Sequence, residues 1–478
     1  MCPSSLELEH GQSSRNAMPE KSERASTDMN LFGKLLLATF VVCVLCDYGF
    51  KDLPGDYCRM RKPMDCCPGR DDSCALPIIG TLCYCDKFCN RSVGMDCCPD
   101  YFPHCLGIRV DPPQQIVRPG CNHRGKFYEV GHWYLNNCNK CKCQYKGHNK
   151  FEFGCDDNVC LIRTELVDAI NGGNYGWTAS NYTFLWGKTL NEGIRYRLGT
   201  FRPTRTTLEM TEIHLNKSER LAENFDSRRK WPNLIQPVRD QGDCGSSWAF
   251  STTGLASDRL AIESQGREKI SLSPQHLISC QHRGQRGCHG GHLDRAWWYL
   301  RKKGVATESC YPYESWITDE EGKCRAKNWK NGNGKVKCPS GNEDVVHYFT
   351  PSYRVAPNER DIMKEIHDNG PVQATFEVKE DFFLYKHGIY RHTPVTKYLP
   401  SKYRRSGWHS VRIIGWGVER NTKYWLCANS WGERWGENGY FRIVRGENEC
   451  EIENFVVGVW AKRRLLNGKT NGRRYRRA

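Results

Sequence analysis

The sequence has no long apolar run after residue 46. A membrane-spanning helix needs about 20 consecutive apolar residues, so this absence excludes a protein with several spans, and no stable membrane span is expected. Acidic residues are fewer than basic ones: 54 Asp and Glu stand against 70 Lys and Arg, which gives a formal charge of +16. This excess favours anionic partners; the alternative is that it only keeps the chain soluble.

Apolar residues make up 38% and aromatic residues 12% of the 478 positions, which excludes wholesale disorder and indicates two to four domains. The 27 cysteines indicate the secretory pathway, where disulfides form and persist. A basic chain meets extracellular-matrix proteins, cell-surface receptors and sulfated glycans in that compartment. We therefore expect partners of these kinds and no nucleic acid.

The N-terminal region combines a polar extension with one apolar run. Residues 1–28 are polar and are not expected to fold alone. The apolar run from Leu35 to Cys46 follows Lys34 and has the length of a signal-peptide core, so residues 29–47 are predicted to be a signal peptide. An uncleaved anchor is the alternative. The predicted location is the extracellular space or matrix.

Residues 54–106 contain ten cysteines in a segment too short for an adequate apolar core, so disulfides must supply much of its stability. The cysteines are Cys58, Cys66, Cys67, Cys74, Cys83, Cys85, Cys89, Cys97, Cys98 and Cys105. The spacing Cys83-x-Cys85-Asp-x-x-Cys89, with Cys97-Cys98-x-Asp-Tyr after it, resembles a somatomedin B-like module, which implies protein binding. A zinc site is the alternative, disfavoured by the oxidising compartment and the few nearby histidines.

Residues 119–161 hold a second cysteine group, which follows a proline-rich link. Its members are Cys121, Cys138, Cys141, Cys143, Cys155 and Cys160. Their spacing resembles a von Willebrand factor C-like module. A structural spacer is the alternative interpretation.

The stretch from Gln241 to Phe250 reads QGDCGSSWAF. It resembles the nucleophile loop of the papain family, cathepsin B branch, but Ser247 stands where that family has its attacking cysteine. The resemblance extends over residues 223–460. It implies an α+β fold of the papain type, with a helical lobe and a β-barrel lobe, preceded here by small disulfide-rich modules.

The resemblance also implies a vestigial catalytic set. His409 matches the catalytic imidazole, Asn429 its orienting partner and Gln241 the oxyanion-stabilising side chain, with the backbone N–H of Ser247 as the second donor. A thiol beside an imidazole and a helix terminus ionises, whereas an alcohol stays protonated at physiological pH. We therefore expect the oxyanion donors to survive and peptide hydrolysis to be lost.

Other positions match the substrate cleft of the family. Gly290 and Gly291 are expected to leave room for a peptide backbone, Trp431 to cover the bond from His409 to Asn429, and Phe455 to lie near the second specificity pocket. Each of these has a purely structural alternative. The paired histidines of the occluding loop of cathepsin B are absent between Tyr313 and Cys338, which argues against carboxydipeptidase action.

Residues 162–200 resemble the propeptide of cathepsin B-like proteases, which lies along the cleft, and Leu161, Leu166 and Ile170 indicate an amphipathic helix at its start. Residues 201–222 form a polar linker, where a processing cut is expected if there is one. Three sequons occur, at Asn90, Asn181 and Asn216.

The protease-like region has eight cysteines, an even number that favours four closed disulfides and no reactive thiol. The resemblance implies that Cys244 pairs with Cys288. No cofactor and no metal are predicted. The basic tail, residues 461–478, has eight Lys or Arg and no acid, so it is either a polyanion-binding segment or a solvated terminus.

The whole combination resembles the tubulointerstitial nephritis antigen family. It implies a secreted, catalytically inactive, cathepsin B-like glycoprotein that binds matrix or cell-surface partners. A secreted hydrolase with residual activity is the alternative, and so is a carrier of peptides or acylated ligands in an empty cleft.

Overall fold

A computed structural model describes residues 50, 53–89, 96–108, 119–215, 220–318, 320–326, 335–338 and 340–462. The predicted polar extension, the signal peptide and residues 463–478 of the basic tail lie outside the described residues. The chain forms two compact units, one up to Arg118 and one from Pro119 onwards. None of the helices in the described ranges combines the length and apolar character that a bilayer crossing requires.

The first unit is built around disulfides. Its hairpin pairs β1 (Ala75–Ile78) with β2 (Thr81–Tyr84), and a single π-helical turn covers Tyr101–Cys105. Five disulfides cross it: Cys58–Cys85, Cys66–Cys105, Cys67–Cys74, Cys83–Cys98 and Cys89–Cys97. The half-cystines themselves make up most of its buried core, as expected for a segment of this size.

The second unit begins with a small β-region. Its strands are β3 (Gly120–His123), β4 (Lys126–Glu129), β5 (Trp133–Asn136), β6 (Asn139–Tyr145) and β7 (Phe151–Cys155). They form the antiparallel pair β3–β4 and the three-stranded sheet β5–β6–β7. Three disulfides fasten it: Cys121–Cys143, Cys138–Cys160 and Cys141–Cys155.

A segment that resembles a propeptide follows, and it is part of the main core. Its elements are α1 (Thr164–Gly172), β8 (Trp177–Ala179) and α2 (Leu190–Arg197), and the linker after it holds α3 (Arg205–Leu208) and β9 (Glu212–Ile213). The helix predicted near Leu161 begins three residues later, at Thr164, and the backbone N–H of Leu161 donates to Lys188 O. Residues Leu161, Leu166 and Ile170 are nevertheless buried, as their helical spacing predicts.

The remaining residues supply the two lobes of a papain-like fold. The helices are α4 (Ser227–Lys230), α5 (Ser247–Glu263), α6 (Pro274–Cys280), α7 (Leu293–Lys302), α8 (Ser315–Thr318) and α9 (Glu359–Asn369). The strands are β10 (Phe225–Asp226), β11 (Lys335–Lys337), β12 (Glu343–Val345), β13 (Tyr353–Val355), β14 (Val372–Val378), β15 (Tyr385–Tyr390), β16 (Gly407–Glu419), β17 (Thr422–Ala428), β18 (Tyr440–Val444) and β19 (Phe455–Gly458).

Ten strands form one sheet, in the order β8–β15–β18–β17–β16–β14–β19–β13–β9, with β10 paired to β16. Two of these strands, β8 of the propeptide-like segment and β9 of the linker after it, lie at the two ends of the order. One apolar core lies in this β lobe and another lies around α5, α6 and α7. Together the two lobes confirm the predicted α+β class.

The disulfide prediction for the protease-like region is wrong in number. Three disulfides are present, Cys244–Cys288, Cys280–Cys324 and Cys310–Cys338, and Cys427 and Cys450 are free thiols. Cys427 lies on an interior strand, where a free cysteine packs as a small apolar side chain. An even count of cysteines therefore does not require that all of them pair. Burial raises the pKa of both thiols well above the ordinary value, so they stay protonated.

Candidate active site

Ser247 is the first residue of α5 and is completely buried. Helix α5 is the central helix of its lobe, and most of its residues are buried on every side. Its buried hydroxyls are satisfied locally, since Ser251, Thr252 and Thr253 donate to carbonyls one turn earlier. The N-terminus of this helix therefore presents the Ser247 side chain at the boundary of the two lobes.

His409 lies on β16, and Asn429 directly follows the neighbouring strand β17. The Nε2 of His409 donates to Asn429 Oδ1 over 2.7 Å, and its Nδ1 has no hydrogen-bond partner among the described residues. The ring of Trp431 lies 5.1 Å from the imidazole, centroid to centroid, and so shields this bond. Burial lowers the pKa of His409 to about 4, against which the bond to Asn429 acts only in part. The imidazole is neutral at physiological pH.

The oxyanion donors are already engaged by the chain itself. Gln241 Nε2 donates to the carbonyl oxygen of Leu198 over 3.0 Å, and the backbone N–H of Ser247 donates to the same oxygen over 3.2 Å. Two convergent donors on one carbonyl are the arrangement that stabilises a developing oxyanion in acyl transfer. Here a peptide carbonyl from the end of α2 occupies it.

The residues after Leu198 continue along the cleft wall. Gly291 N donates to Gly199 O over 3.0 Å, and Phe201 N donates to Gly291 O over 2.9 Å, as a parallel bridge. Gly199 has φ +110°, and a Cβ at this position would lie 2.0 Å from the backbone of Gly245. Only glycine fits so close an approach. We call residues Leu198–Phe201 the plug.

The glycines of the cleft wall admit this backbone. A Cβ at Gly290 would lie 2.5 Å from the ring of Phe201, and one at Gly291 would lie 2.6 Å from the ring of Trp248. The space beside Gly290 and Gly291, which was predicted to receive a peptide backbone, is therefore filled by the plug. This arrangement does not favour the alternative of a carrier that holds peptides or acylated ligands in an empty cleft.

A chain of buried hydroxyls fastens the plug to Ser247. Thr200 Oγ1 lies 2.8 Å from Ser247 Oγ and 2.7 Å from Ser410 Oγ. Ser410 Oγ lies 2.7 Å from Ser251 Oγ, which in turn accepts a 2.7 Å bond from Gln373 Nε2. Each hydroxyl can donate one hydrogen bond and accept others, so every hydroxyl in this series has a hydrogen-bond partner. The Ser247 hydroxyl is thus bonded to the plug.

Ionic contacts hold the residues just before the plug. Arg197, at the end of α2, is almost fully buried and donates to Asp240 over 3.0 Å and to Asp243 over 3.3 Å. Lys188 also pairs with Asp243, at 2.6 Å. In addition, the indole N–H of Trp431 donates to the carbonyl of Arg197. These contacts tie α2 to the loop that precedes Ser247.

The structure brings most of the predicted cleft residues together. Ser247, Gln241, His409, Asn429 and Trp431 lie around the plug, while Gly290 and Gly291 form its wall. The disulfide Cys244–Cys288 joins the nucleophile loop to that wall.

Phe455 requires a correction. It is 3% exposed and packs in the core of the helical lobe. Alternate residues of a strand point to opposite faces, so Phe455 and Val457 of β19 face this core while Val456 faces the core of the β lobe. It is therefore a packing residue and not part of the cleft lining.

Sequence reasoning missed Leu198, Thr200 and Ser410. Their roles depend on contacts between distant parts of the chain, which no local spacing reveals. Gly199 could have indicated a turn of the chain, since glycine is common just after a helix, but nothing local indicates that it packs against Gly245.

The remaining predicted sites lie elsewhere. Asn181 is exposed, while Asn90 and Asn216 lie outside the described residues. Two groups of the described residues have metal-like spacing, Cys58 with Cys85 and Cys98, and Asp65 with Cys66 and His104. Every cysteine in them is disulfide-bonded, so neither group offers a thiolate ligand.

Known proteins resemble this chain over most of its length. The family model described as papain family cysteine protease matches residues 221–460. Tubulointerstitial nephritis antigen-like of Mus musculus is 50% identical over 430 residues, which cover 87% of this chain and 90% of that protein. Tubulointerstitial nephritis antigen of Homo sapiens is 44% identical over 425 residues, 85% of this chain and 87% of that protein.

The fold has solved counterparts. The structure of proCathepsin B S9 from Trypanosoma congolense is similar with a TM-score of 0.55 and 30% identity, over 64% of this chain and all of that chain. This share exceeds the part of the chain that residues 221–460 comprise, so the likeness extends beyond the protease-like region. The chain belongs to the papain family of cysteine proteases, in the group formed by tubulointerstitial nephritis antigen and its antigen-like relatives.

Proposed function

We propose that this chain is a secreted glycoprotein without peptidase activity, which acts by binding extracellular-matrix or cell-surface partners. The observation that carries the proposal is the position of the Leu198 carbonyl, which accepts from both Gln241 and the Ser247 backbone. A substrate carbonyl cannot reach these donors while the plug is in place.

The chemistry at Ser247 supports the same conclusion. We infer that Ser247 replaces the nucleophilic cysteine of the family, because it begins the central helix beside His409 and Asn429. An alcohol needs a general base, and an imidazole with a pKa of about 4 is a weak one. Moreover, the Ser247 hydroxyl bonds to Thr200, and His409 Nδ1 bonds to none of the described residues.

Binding is supported by the parts of the chain outside the cleft. The disulfide-rich first unit exposes apolar side chains, among them Met60 at 75%, Ile79 at 76% and Leu82 at 48%. Exposed apolar side chains in a small crosslinked domain are typical of a surface that contacts other proteins. Eleven disulfides among the described residues support secretion.

The catalytic part of the proposal is tested with fluorogenic dipeptide substrates. We expect no turnover from the purified full chain, and none from Ser247→Ala. Turnover by the natural chain that Ser247→Ala abolishes would instead establish a serine-dependent hydrolase.

The binding part is tested by retention of the full chain on immobilised laminin, collagen and matrix extract at low salt. Retention on at least one of these surfaces is expected. Failure to bind any of them, with a folded protein in hand, would contradict the proposal.

A further inference from the structure

A surface groove remains beside the plug. Its volume is about 470 Å³, and part of its lining is the plug itself. The lining residues are Ile194, Arg195, Leu198, Gly199, Thr200, Phe201, His289, Gly407 and Trp408. The cleft is thus closed to a substrate at Ser247, but its outer part stays open to a ligand.

Basic side chains surround this groove. Arg195 and His289 line it, with the Arg195 guanidinium 3.2 Å from His289 Nε2. Arg286 lies over the ring of Phe201 at 5.7 Å, and Arg202 lies over the ring of Trp408 at 5.1 Å. All four basic side chains are exposed. We call this set, with the groove it surrounds, the cationic groove.

Some of these basic side chains have acidic neighbours, and the carboxylate of Glu321 lies beside Gly287, the residue after Arg286. Glu451 pairs with Arg202 at 3.5 Å, and Arg286 has no ion-pair partner among the described residues. The stretch 281–292, which carries Arg286 and His289, has two Arg and three His and no acid. Basic side chains that outnumber the acids beside them raise the local potential and attract anions. The charge of this groove therefore favours an anionic ligand.

The plug also decides which kind of anion fits. A peptide would have to bond to the backbone of the cleft wall, but the N–H and C=O of Gly291 already pair with Gly199 and Phe201. A ligand in the groove must therefore be recognised by side-chain charge and by the faces of Phe201 and Trp408. Guanidinium groups bind tetrahedral oxyanions through paired, charge-assisted hydrogen bonds. Sugar rings can lie against aromatic faces.

We propose that the cationic groove binds a sulfated glycosaminoglycan chain. The inference rests on the proposed function, and it assigns to matrix binding a site and a ligand class. The sulfates pair with Arg195, Arg202 and Arg286, and the sugar rings contact Phe201 and Trp408. In this arrangement the plug supplies part of the binding surface as well as blocking the cleft.

The test is elution of the full chain from immobilised heparin with increasing NaCl, combined with affinity measured at one fixed salt concentration. Arg195→Gln with Arg286→Gln removes two charges from the groove. Arg301→Gln with Lys302→Gln removes two charges from the exposed end of α7 and is the matched control. All variants keep the basic tail, so differences between them report the folded surface alone.

We expect the groove pair to bind heparin at least about tenfold more weakly than the natural chain, a loss of about 1.4 kcal/mol, since two guanidinium groups that donate charge-assisted hydrogen bonds are removed. The control pair should change affinity by less than about threefold, as expected for a screened surface charge. A variant with Arg195→Gln and Arg286→Lys keeps one more positive charge than the groove pair, so it should recover part of the lost affinity for heparin. Desulfated heparin and hyaluronan should not compete.

Equal weakening by the groove pair and the control pair would overturn the proposal, because binding would then follow total charge. Displacement of the chain from heparin by poly-glutamate as readily as by free heparin would also overturn it. Unchanged thermal unfolding of each variant shows that a loss of binding is not a loss of folding. Retention on matrix extract without retention on heparin rejects this inference and leaves the proposed function standing, whereas no retention on either rejects both.

Discussion

The side chain at position 247 takes part in holding the plug. Its hydroxyl is small enough to lie 2.8 Å from Thr200 Oγ1, in a chain that continues through Ser410 and Ser251. A cysteine sulfur is larger and a weaker hydrogen-bond partner. The serine therefore supplies a contact that helps to close the cleft, and under the proposed function it also stands in place of the nucleophile.

Replacement of Thr200 by Val tests this contact. The change keeps the shape of the side chain but removes the hydrogen bond of the buried Ser247 hydroxyl and one of the two bonds of Ser410, which keeps Ser251, at a cost of about 1–3 kcal/mol in the free energy of unfolding. Thr178→Val is the control, because the Thr178 hydroxyl is exposed and bonds only weakly, over 3.4 Å, to His387 O. Urea denaturation measures both. Equal effects of the two changes would show that the hydroxyl chain contributes little.

Buried histidines make stability depend on pH. Burial lowers the pKa of His409 and of His276 from the ordinary 6.5 to about 4. Between these values the unfolded chain binds protons that the folded chain does not, so the free energy of unfolding falls as the pH drops from about 6.5 to about 4. The slope is up to about 1.4 kcal/mol per pH unit for each histidine.

Urea unfolding at pH 7, 6 and 5 measures this slope, and His276→Gln should make it shallower. A free energy of unfolding that is constant or rises as the pH falls through this window would contradict the burial of neutral imidazoles.

The propeptide-like segment acts as a structural element of the fold. Its strand β8 pairs with β15, and strand β9 of the linker that continues it pairs with β13. Trp177, Tyr182 and Leu185 are each at most 5% exposed. A segment that contributes strands to both ends of the sheet and residues to its core is expected to remain in place even when the chain is cut.

A specific protease site built in place of residues 216–219 tests this expectation. No disulfide among the described residues joins the part before residue 215 to the part after residue 220, so only non-covalent contacts hold the two fragments together. We expect the fragments to elute together in size-exclusion chromatography after complete cleavage, and to separate in denaturant. Separation in native buffer would show that the segment is a removable propeptide.

Local sequence patterns predicted the elements and residues that depend on local constraints. Sequence motifs predicted the loop around Ser247, its partners His409 and Asn429, and the two cleft glycines. Helical spacing predicted the burial of Leu166 and Ile170. The plug could not be predicted in this way, because Leu198 and Thr200 find their partners at least 43 residues away along the chain. Phe455 was misplaced because a motif position does not reveal which face of a strand a residue occupies.

At the scale of the whole molecule, the even number of cysteines in the protease-like region did not predict the number of disulfides correctly. Closure of every pair requires that the sulfurs come within bonding distance, and the fold places Cys427 on an interior strand and Cys450 in a short turn after β18. Parity alone contains no information about distance.

Peptide mapping after alkylation in denaturant without reductant tests the assignment of these thiols. Cys427 and Cys450 should both be alkylated under these conditions, and neither should react in native buffer, since burial keeps both thiols protonated. The cysteines of the three disulfides in the same region serve as the internal control. Recovery of a peptide with Cys427 linked to Cys450 would contradict the structure.

The molecule as a whole combines disulfide-rich modules with a papain-like body that is closed by its own chain. The plug bonds to the oxyanion donors and to the cleft wall, and it also forms part of the cationic groove. Closure of the cleft is therefore the central claim, and it does not depend on the identity of any partner.

The rate at which an iodoacetamide probe alkylates Ser247→Cys in the native full chain tests this claim most directly, with the natural chain as the control for Cys427 and Cys450. The claim predicts that the introduced thiol is alkylated at least about a hundredfold more slowly than in denaturant, and that the variant does not turn over dipeptide substrates. It also predicts faster alkylation when Gly199→Ala, which would collide with the Gly245 backbone, is added. Alkylation of the single variant at the rate of an exposed thiol, or peptide turnover by it, would contradict a closed cleft.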